Sequence, residues 1–170
     1  ILSFMLTPGG WLETGNFWAG FFNPTFFPSL FFRTFMTMMI AGLFGFVTTV
    51  FLQPSDFRDT MLRYCSKWLL YPFIGLIPSA VWYYYAVPGD LRVLAFVVNP
   101  QTAPVISILI VSSILLFLLG LFFMLRTPAA VQRMLAFVLV LVGVFWMSGF
   151  EYTREVARKP YILNNYMYST

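Results

Sequence analysis

The sequence predicts an all-α integral membrane protein with about four transmembrane helices and an interfacial N-terminal segment. Of its 170 residues, 60% are hydrophobic and 9% are charged, whereas charged residues make up about 25% of a typical soluble domain. This composition excludes a soluble globular domain, a disordered chain and a free nucleic-acid binder. A spanning helix needs about 20 mostly apolar residues. Four stretches approach or exceed that length without a charged residue: 34–55, 68–89, 93–125 and 134–150.

The first part of the chain predicts a surface segment followed by one membrane helix. Residues 1–28 are rich in Trp, Phe, Pro and Gly, so we expect them to lie at the membrane interface. The first span is expected at 29–52. Gly42 and Gly45 in that span are the small residues that allow close helix contact.

Three further spans are expected at 67–87, 104–125 and 130–150. Pro72 and Pro78 predict kinks in the second span. Its far end, Trp82-Tyr83-Tyr84-Tyr85, is typical of an aromatic belt, with stacking on a quinone ring as the alternative. Residues 91–98 indicate a short interfacial piece between the second and third spans.

The resulting organisation is an interfacial segment at 1–28, a four-helix transmembrane domain at 29–158 and a tail at 159–170. Because the chain begins with Ile1 rather than Met, we expect it to be a piece of a longer polypeptide. Basic residues are balanced between the two sides. Discounting Arg33, Arg154 and Arg158 as functional favours a cytoplasmic position for the first and third loops.

Several kinds of site are excluded by residue type. The chain has no histidine, so it cannot supply a His-based triad, a His-ligated zinc or a bis-His haem. The lone cysteine, Cys65, excludes an intrachain disulfide and a thiolate metal cage. Arg63 and Lys67 flank it and would lower its pKa if they faced it, but an ordinary interfacial cysteine is the simpler interpretation.

Charged residues after the fourth span form the main candidate site. We expect the helix to continue there, so that Glu151 and Glu155 stand one turn apart and Arg154 and Arg158 form i,i+3 pairs with them. Such a group can bind the propionates of a cofactor, ligate a metal through Glu155 or relay protons. The alternative is a solvated helix end. Arg33, which lies among aromatic residues at the start of the first span, needs a partner, either a propionate or a lipid phosphate.

Two segments together resemble subunit I of the cytochrome bd-type quinol oxidases, in its second half. One is Phe22-Asn23-Pro24-Thr25-Phe26-Phe27-Pro28-Ser29-Leu30 before the first span, which is similar to an FNP-type segment. The other is Glu155-Val156-Ala157-Arg158-Lys159-Pro160-Tyr161 after the fourth span, which is similar to an E-x-G-R-Q-P-W-type motif. The order of four spans between the two segments also agrees.

The resemblance implies a scaffold and one surface that faces a haem. It implies that Glu155 lies at a high-spin haem and can ligate it, with Arg158 beside it. Arg33 stands about where the family has the histidine of its low-spin haem, and Val105–Ile108 stand where it has a methionine. Only residues 87–103 connect the spans that flank the family's quinol-binding loop. We therefore expect no low-spin haem b on this chain.

The leading hypothesis is a subunit of a respiratory electron-transfer complex in the inner (plasma) membrane. It would contribute to an oxygen reductase that oxidises quinol or cytochrome c, with a haem shared with another chain or with a missing N-terminal half. Its partners would be other membrane subunits and lipid. The alternative is a non-catalytic scaffold or anchor whose cofactors lie in partner subunits, which the absence of histidine supports. A small transporter is disfavoured because no pair of matching broken helices is seen.

Overall fold

The computed structural model describes residues 7–100, 102–125 and 132–161, without the side chains of 91, 94, 95, 132 and 156–161. This part of the chain is helical and contains no strand, so the all-α prediction is confirmed. The described helices are α1 Trp11–Thr14, α2 Phe17–Phe21, α3 Phe26–Val50, α4 Asp56–Leu70, α5 Phe73–Ala86, α6 Gly89–Val93, a π-helical turn Leu94–Val98, α7 Thr102–Leu125 and α8 Gln132–Tyr161.

Three helices of the described chain are long and apolar enough to cross a membrane. They are Phe26–Val50, Thr102–Leu125 and Arg133–Glu155, with mean hydropathies of 1.7, 2.9 and 2.0. They correspond to the predicted spans 29–52, 104–125 and 130–150, although residues 130–131 lie outside the described chain. α8 continues past residue 150 to Tyr161, as expected.

The prediction of one membrane helix at 67–87, the second span, is wrong, because this stretch is not one long helix. It comprises the end of α4 and all of α5, which are separated at Tyr71 and Pro72. Proline has no N–H to donate, and its ring displaces the carbonyl of the residue four positions earlier. The backbone at both residues stays in the helical region, so the chain bends rather than reverses. The predicted four-helix domain thus contains three long apolar helices and this divided one.

Helix α3 forms the centre of the bundle and packs against α4, α5 and α8, while α7 packs against α8 and α4. The core includes Met39, Phe46, Phe123 and Leu139, which are at most 2% exposed. The rings of Phe46 and Phe123 lie 4.3 Å apart. Many other large apolar side chains point outward on α5, α7 and α8. Such an apolar exterior is stable in hydrocarbon and costly in water.

Helices α3 and α4 approach each other closely at a glycine. A Cβ atom placed on Gly42 would lie 2.9 Å from the backbone nitrogen of Leu69 and 2.9 Å from the carbonyl carbon of Trp68. One turn along α3, a Cβ atom on Gly45 would lie 2.9 Å from Cys65 Sγ. The prediction of close contact at these two glycines is therefore confirmed. Cys65 is buried by the same contact.

The chain before α3 is held by a side-chain network around Asn23. Asn23 Oδ1 accepts hydrogen bonds from Thr7 Oγ1 at 3.2 Å and from Thr25 Oγ1 at 2.9 Å, and Asn23 Nδ2 donates to the carbonyl of Gly20 at 3.0 Å. The aromatic side chains of Phe17 and Trp18 are 66% and 61% exposed. Exposed aromatics suit a membrane interface, and the interfacial role of residues 1–28 stays a prediction.

Candidate functional site

Charged and hydroxyl side chains from three helices meet at one end of the bundle, where α3 begins, α5 ends and the second half of α8 passes. Two aromatic contacts fix this arrangement. The rings of Phe32 and Phe150 stack at 5.0 Å between α3 and α8, and those of Phe31 and Trp82 lie 6.2 Å apart between α3 and α5. The residue that follows Phe32 is Arg33, and the residue that follows Phe150 is Glu151. The aromatic contacts therefore bring these polar residues to one place.

Tyr83 lies at the centre of this group. Its side chain lies beside Ser29 and within electrostatic reach of both Arg33 and Arg154. Ser29 and Arg33 share one face of α3 because they are four residues apart. We call Ser29, Arg33, Tyr83, Glu151 and Arg154 the arginine cluster.

The arginine cluster carries an excess of positive charge. Arg154 Nη2 and Glu151 Oε2 lie 2.5 Å apart, which confirms the predicted i,i+3 pair. The Arg154 side chain is 28% exposed, and its Nε atom is buried with no hydrogen-bond partner among the described residues. Arg33 is half-buried and makes no ion pair within the described chain. One paired carboxylate thus stands against two guanidinium groups, an arrangement that suits an added anion.

The other predicted site residues are on α8. Glu155 is half-buried one turn beyond Glu151. The side chains of Arg158 and Lys159 lie outside the described residues, so the predicted Glu155–Arg158 pair stays a prediction. No group of three His, Cys, Asp or Glu side chains able to hold a metal ion occurs in the described chain.

Sequence reasoning missed Ser29 and Tyr83 as members of the site. The sequence predicts an aromatic belt at residues 82–85, which include Tyr83; Tyr85 in that stretch is 67% exposed, and the belt itself stays a prediction. The guanidinium carbon of Arg92 lies 5.4 Å and 5.5 Å from the ring centres of Tyr84 and Tyr85. The available signal for the cluster was the Ser29–Arg33 spacing, which places two polar groups on one face of an otherwise apolar helix.

An apolar cavity of about 480 Å³ lies below the arginine cluster, between α5 and α7. Phe32 and Phe150 line it, so their stacked rings form the end of the cavity that lies next to Arg33 and Glu151. Ser113 and Trp146 also line it. Trp146 Nε1 donates to Ser113 Oγ at 2.8 Å, and Ser113 Oγ donates to the carbonyl of Leu109 at 2.7 Å. Because these polar groups already have partners, the cavity suits an apolar occupant.

A scan against protein-family models, a search of curated proteins and a search of solved structures each found no match to this chain. What it does is therefore inferred from its own residues and their arrangement.

Proposed function

We propose that this chain is a subunit of a respiratory electron-transfer complex in the cell inner (plasma) membrane, similar to the cytochrome bd-type oxidases. One observation carries the proposal. The segment 22–30 and the segment beginning at Glu155 carry the resemblance and are more than 120 residues apart in the sequence. The helices that bear them meet at the same end of the bundle, where Ser29 contacts Tyr83 and Tyr83 lies within reach of Arg154. The two segments that resemble the oxidase family therefore lie at the same end of the bundle, which supports the proposal that they belong to one site.

The residues fit a haem only in part. The cavity below the cluster does not fit it, because the residues that line it include no side chain that ligates iron. Glu155 is a half-buried carboxylate outside that lining and offers one oxygen donor. A haem would supply one-electron and oxygen chemistry; Glu155 and Arg158 would hold it from this chain, and its other ligands would come from another chain. The electron donor of such a complex is quinol or cytochrome c.

A non-catalytic scaffold is the second candidate, and two observations favour it. The chain has no histidine, and the lining of the apolar cavity beside the arginine cluster has no ionisable side chain. In this alternative, α3, α7 and α8 anchor partner subunits that hold all of the cofactors.

The test is the haem content and optical spectrum of the purified complex carrying Glu155→Ala, with Lys159→Ala, four residues further along the same helix, as the control. We expect Glu155→Ala to lower haem occupancy or electron-transfer turnover, because a ligand or an orienting charge is lost. Lys159→Ala should leave both unchanged. If Glu155→Ala also leaves the spectrum and the turnover unchanged, the scaffold candidate is correct and the first proposal is wrong.

A further inference from the structure

The apolar cavity is a groove that opens on the outer side of the bundle. Its outer rim is formed by side chains that are more than half exposed, among them Ile77 on α5 and Ile110, Ile114 and Leu118 on α7. Lining residues on α7 run from Leu109 to Leu118, which corresponds to about 13 Å along the helix axis at 1.5 Å per residue. The space is therefore long, narrow and accessible from the side.

The bend at Pro72 explains why the groove exists. Before the bend, α4 packs closely against α7, but after it α5 packs against α3 and not closely against α7. The gap between α5 and α7 is the groove. Its upper end stops at the stacked rings of Phe32 and Phe150, which lie next to the arginine cluster along α3 and α8.

We propose that this groove and the arginine cluster together bind one anionic phospholipid, with an acyl chain in the groove and the phosphate between Arg33 and Arg154. The groove supplies apolar contact and no free hydrogen-bonding group, which favours a hydrocarbon chain over a quinone ring with its two carbonyls. The cluster supplies Arg33, which is not ion-paired in the described chain, and a buried Arg154 Nε without a hydrogen-bond partner there. Guanidinium groups bind phosphate through paired hydrogen bonds.

The first experiment measures lipid selectivity of the full chain. The protein is purified in detergent, exposed to equal amounts of phosphatidylglycerol and phosphatidylcholine, and analysed by native mass spectrometry. We expect one phosphatidylglycerol to be retained in preference to phosphatidylcholine. Because each arginine near a lipid surface contributes about 1 kcal/mol, Arg33→Gln and Arg154→Gln should each lower this preference about fivefold. Arg63→Gln, at an exposed arginine on α4, is the matched control and should not change it.

A second variant tests the groove separately from the charges. Ala80 lines the groove and is half-buried, so Ala80→Phe should fill it and reduce retention of phosphatidylglycerol while both arginines remain. Soluble glycerol phosphate distinguishes a lipid from a free phosphate, and we expect it not to displace the bound lipid at equal concentration. The proposal is wrong if the wild-type chain shows no preference between the two lipids. It is equally wrong if the arginine variants match Arg63→Gln, if Ala80→Phe binds normally, or if glycerol phosphate competes as well as the lipid does.

Discussion

Replacing Gly42 by alanine should separate α3 from α4. The added methyl group would meet the backbone of Trp68 and Leu69 at 2.9 Å, and a helix backbone cannot yield as a flexible side chain does. Overpacking of this kind costs typically about 1–3 kcal/mol. Because the obstructing atoms are backbone atoms of a helix that packs against α3, we expect a loss of about 2–3 kcal/mol in the free energy of unfolding.

The assay is unfolding of the detergent-solubilised chain, followed by tryptophan fluorescence, with Gly149→Ala as the matched control. Gly149 is also a buried helix glycine, but a Cβ atom there would lie 3.6 Å from Leu109, an ordinary van der Waals distance. Gly45→Ala should be intermediate, since its obstruction is the Cys65 thiol rather than backbone. Equal stabilities for the Gly42→Ala and Gly149→Ala proteins would refute the close approach of α3 and α4.

Three further outcomes are expected from the same bundle. Ser55→Ala should lower stability by about 1 kcal/mol in the same unfolding assay. The reason is that the Ser55 side chain accepts a hydrogen bond from the Arg58 backbone nitrogen at the start of α4. Ser55→Asp should restore the stability, because aspartate can accept the same bond. Trp146→Phe should lower the free energy of unfolding by about 0.5–1.5 kcal/mol, because the hydrogen bond to Ser113 is lost. A double-mutant cycle of Ser113→Ala and Trp146→Phe should show coupling between the two residues. Cys65, 6% exposed, should react with a maleimide only after unfolding, and rapid labelling of the folded chain would contradict its position against Gly45.

The sequence was sufficient for the long helices because hydrocarbon imposes one strong requirement. Uncharged stretches of about 20 residues must bond their backbone internally, so α3, α7 and α8 were predictable from charge gaps alone. The divided helix was not predicted as such. The absence of charge indicates that a stretch is apolar, but it does not indicate that the helix is continuous. The effect of Pro72 on the direction of the helix depends on how α4 and α5 each pack.

The site was predictable only where its residues are neighbours in the sequence. The Glu151–Arg154 pair follows from helix spacing, which is a local property. The meeting of Arg33, Tyr83 and Arg154 depends on helix order and on the contacts of Phe32 with Phe150 and Phe31 with Trp82. Such contacts join distant parts of the chain, and neither composition nor periodicity indicates them.

The Gly42 contact also sets the height of the apolar band on one side of the protein. It places Trp68, and therefore Lys67 beside it, at the level of Gly42. Arg33 lies nine residues earlier on α3, about 14 Å along the axis, whereas the hydrocarbon layer of a bilayer is about 30 Å thick. Between these two levels, on the side of α3 that α5 covers, the protein thus presents less apolar height than the bilayer has. Hydrophobic mismatch of this kind is relieved by extension of the Lys67 side chain toward the headgroups and by local thinning of the bilayer. Short-chain lipids should therefore gather on this side of the protein.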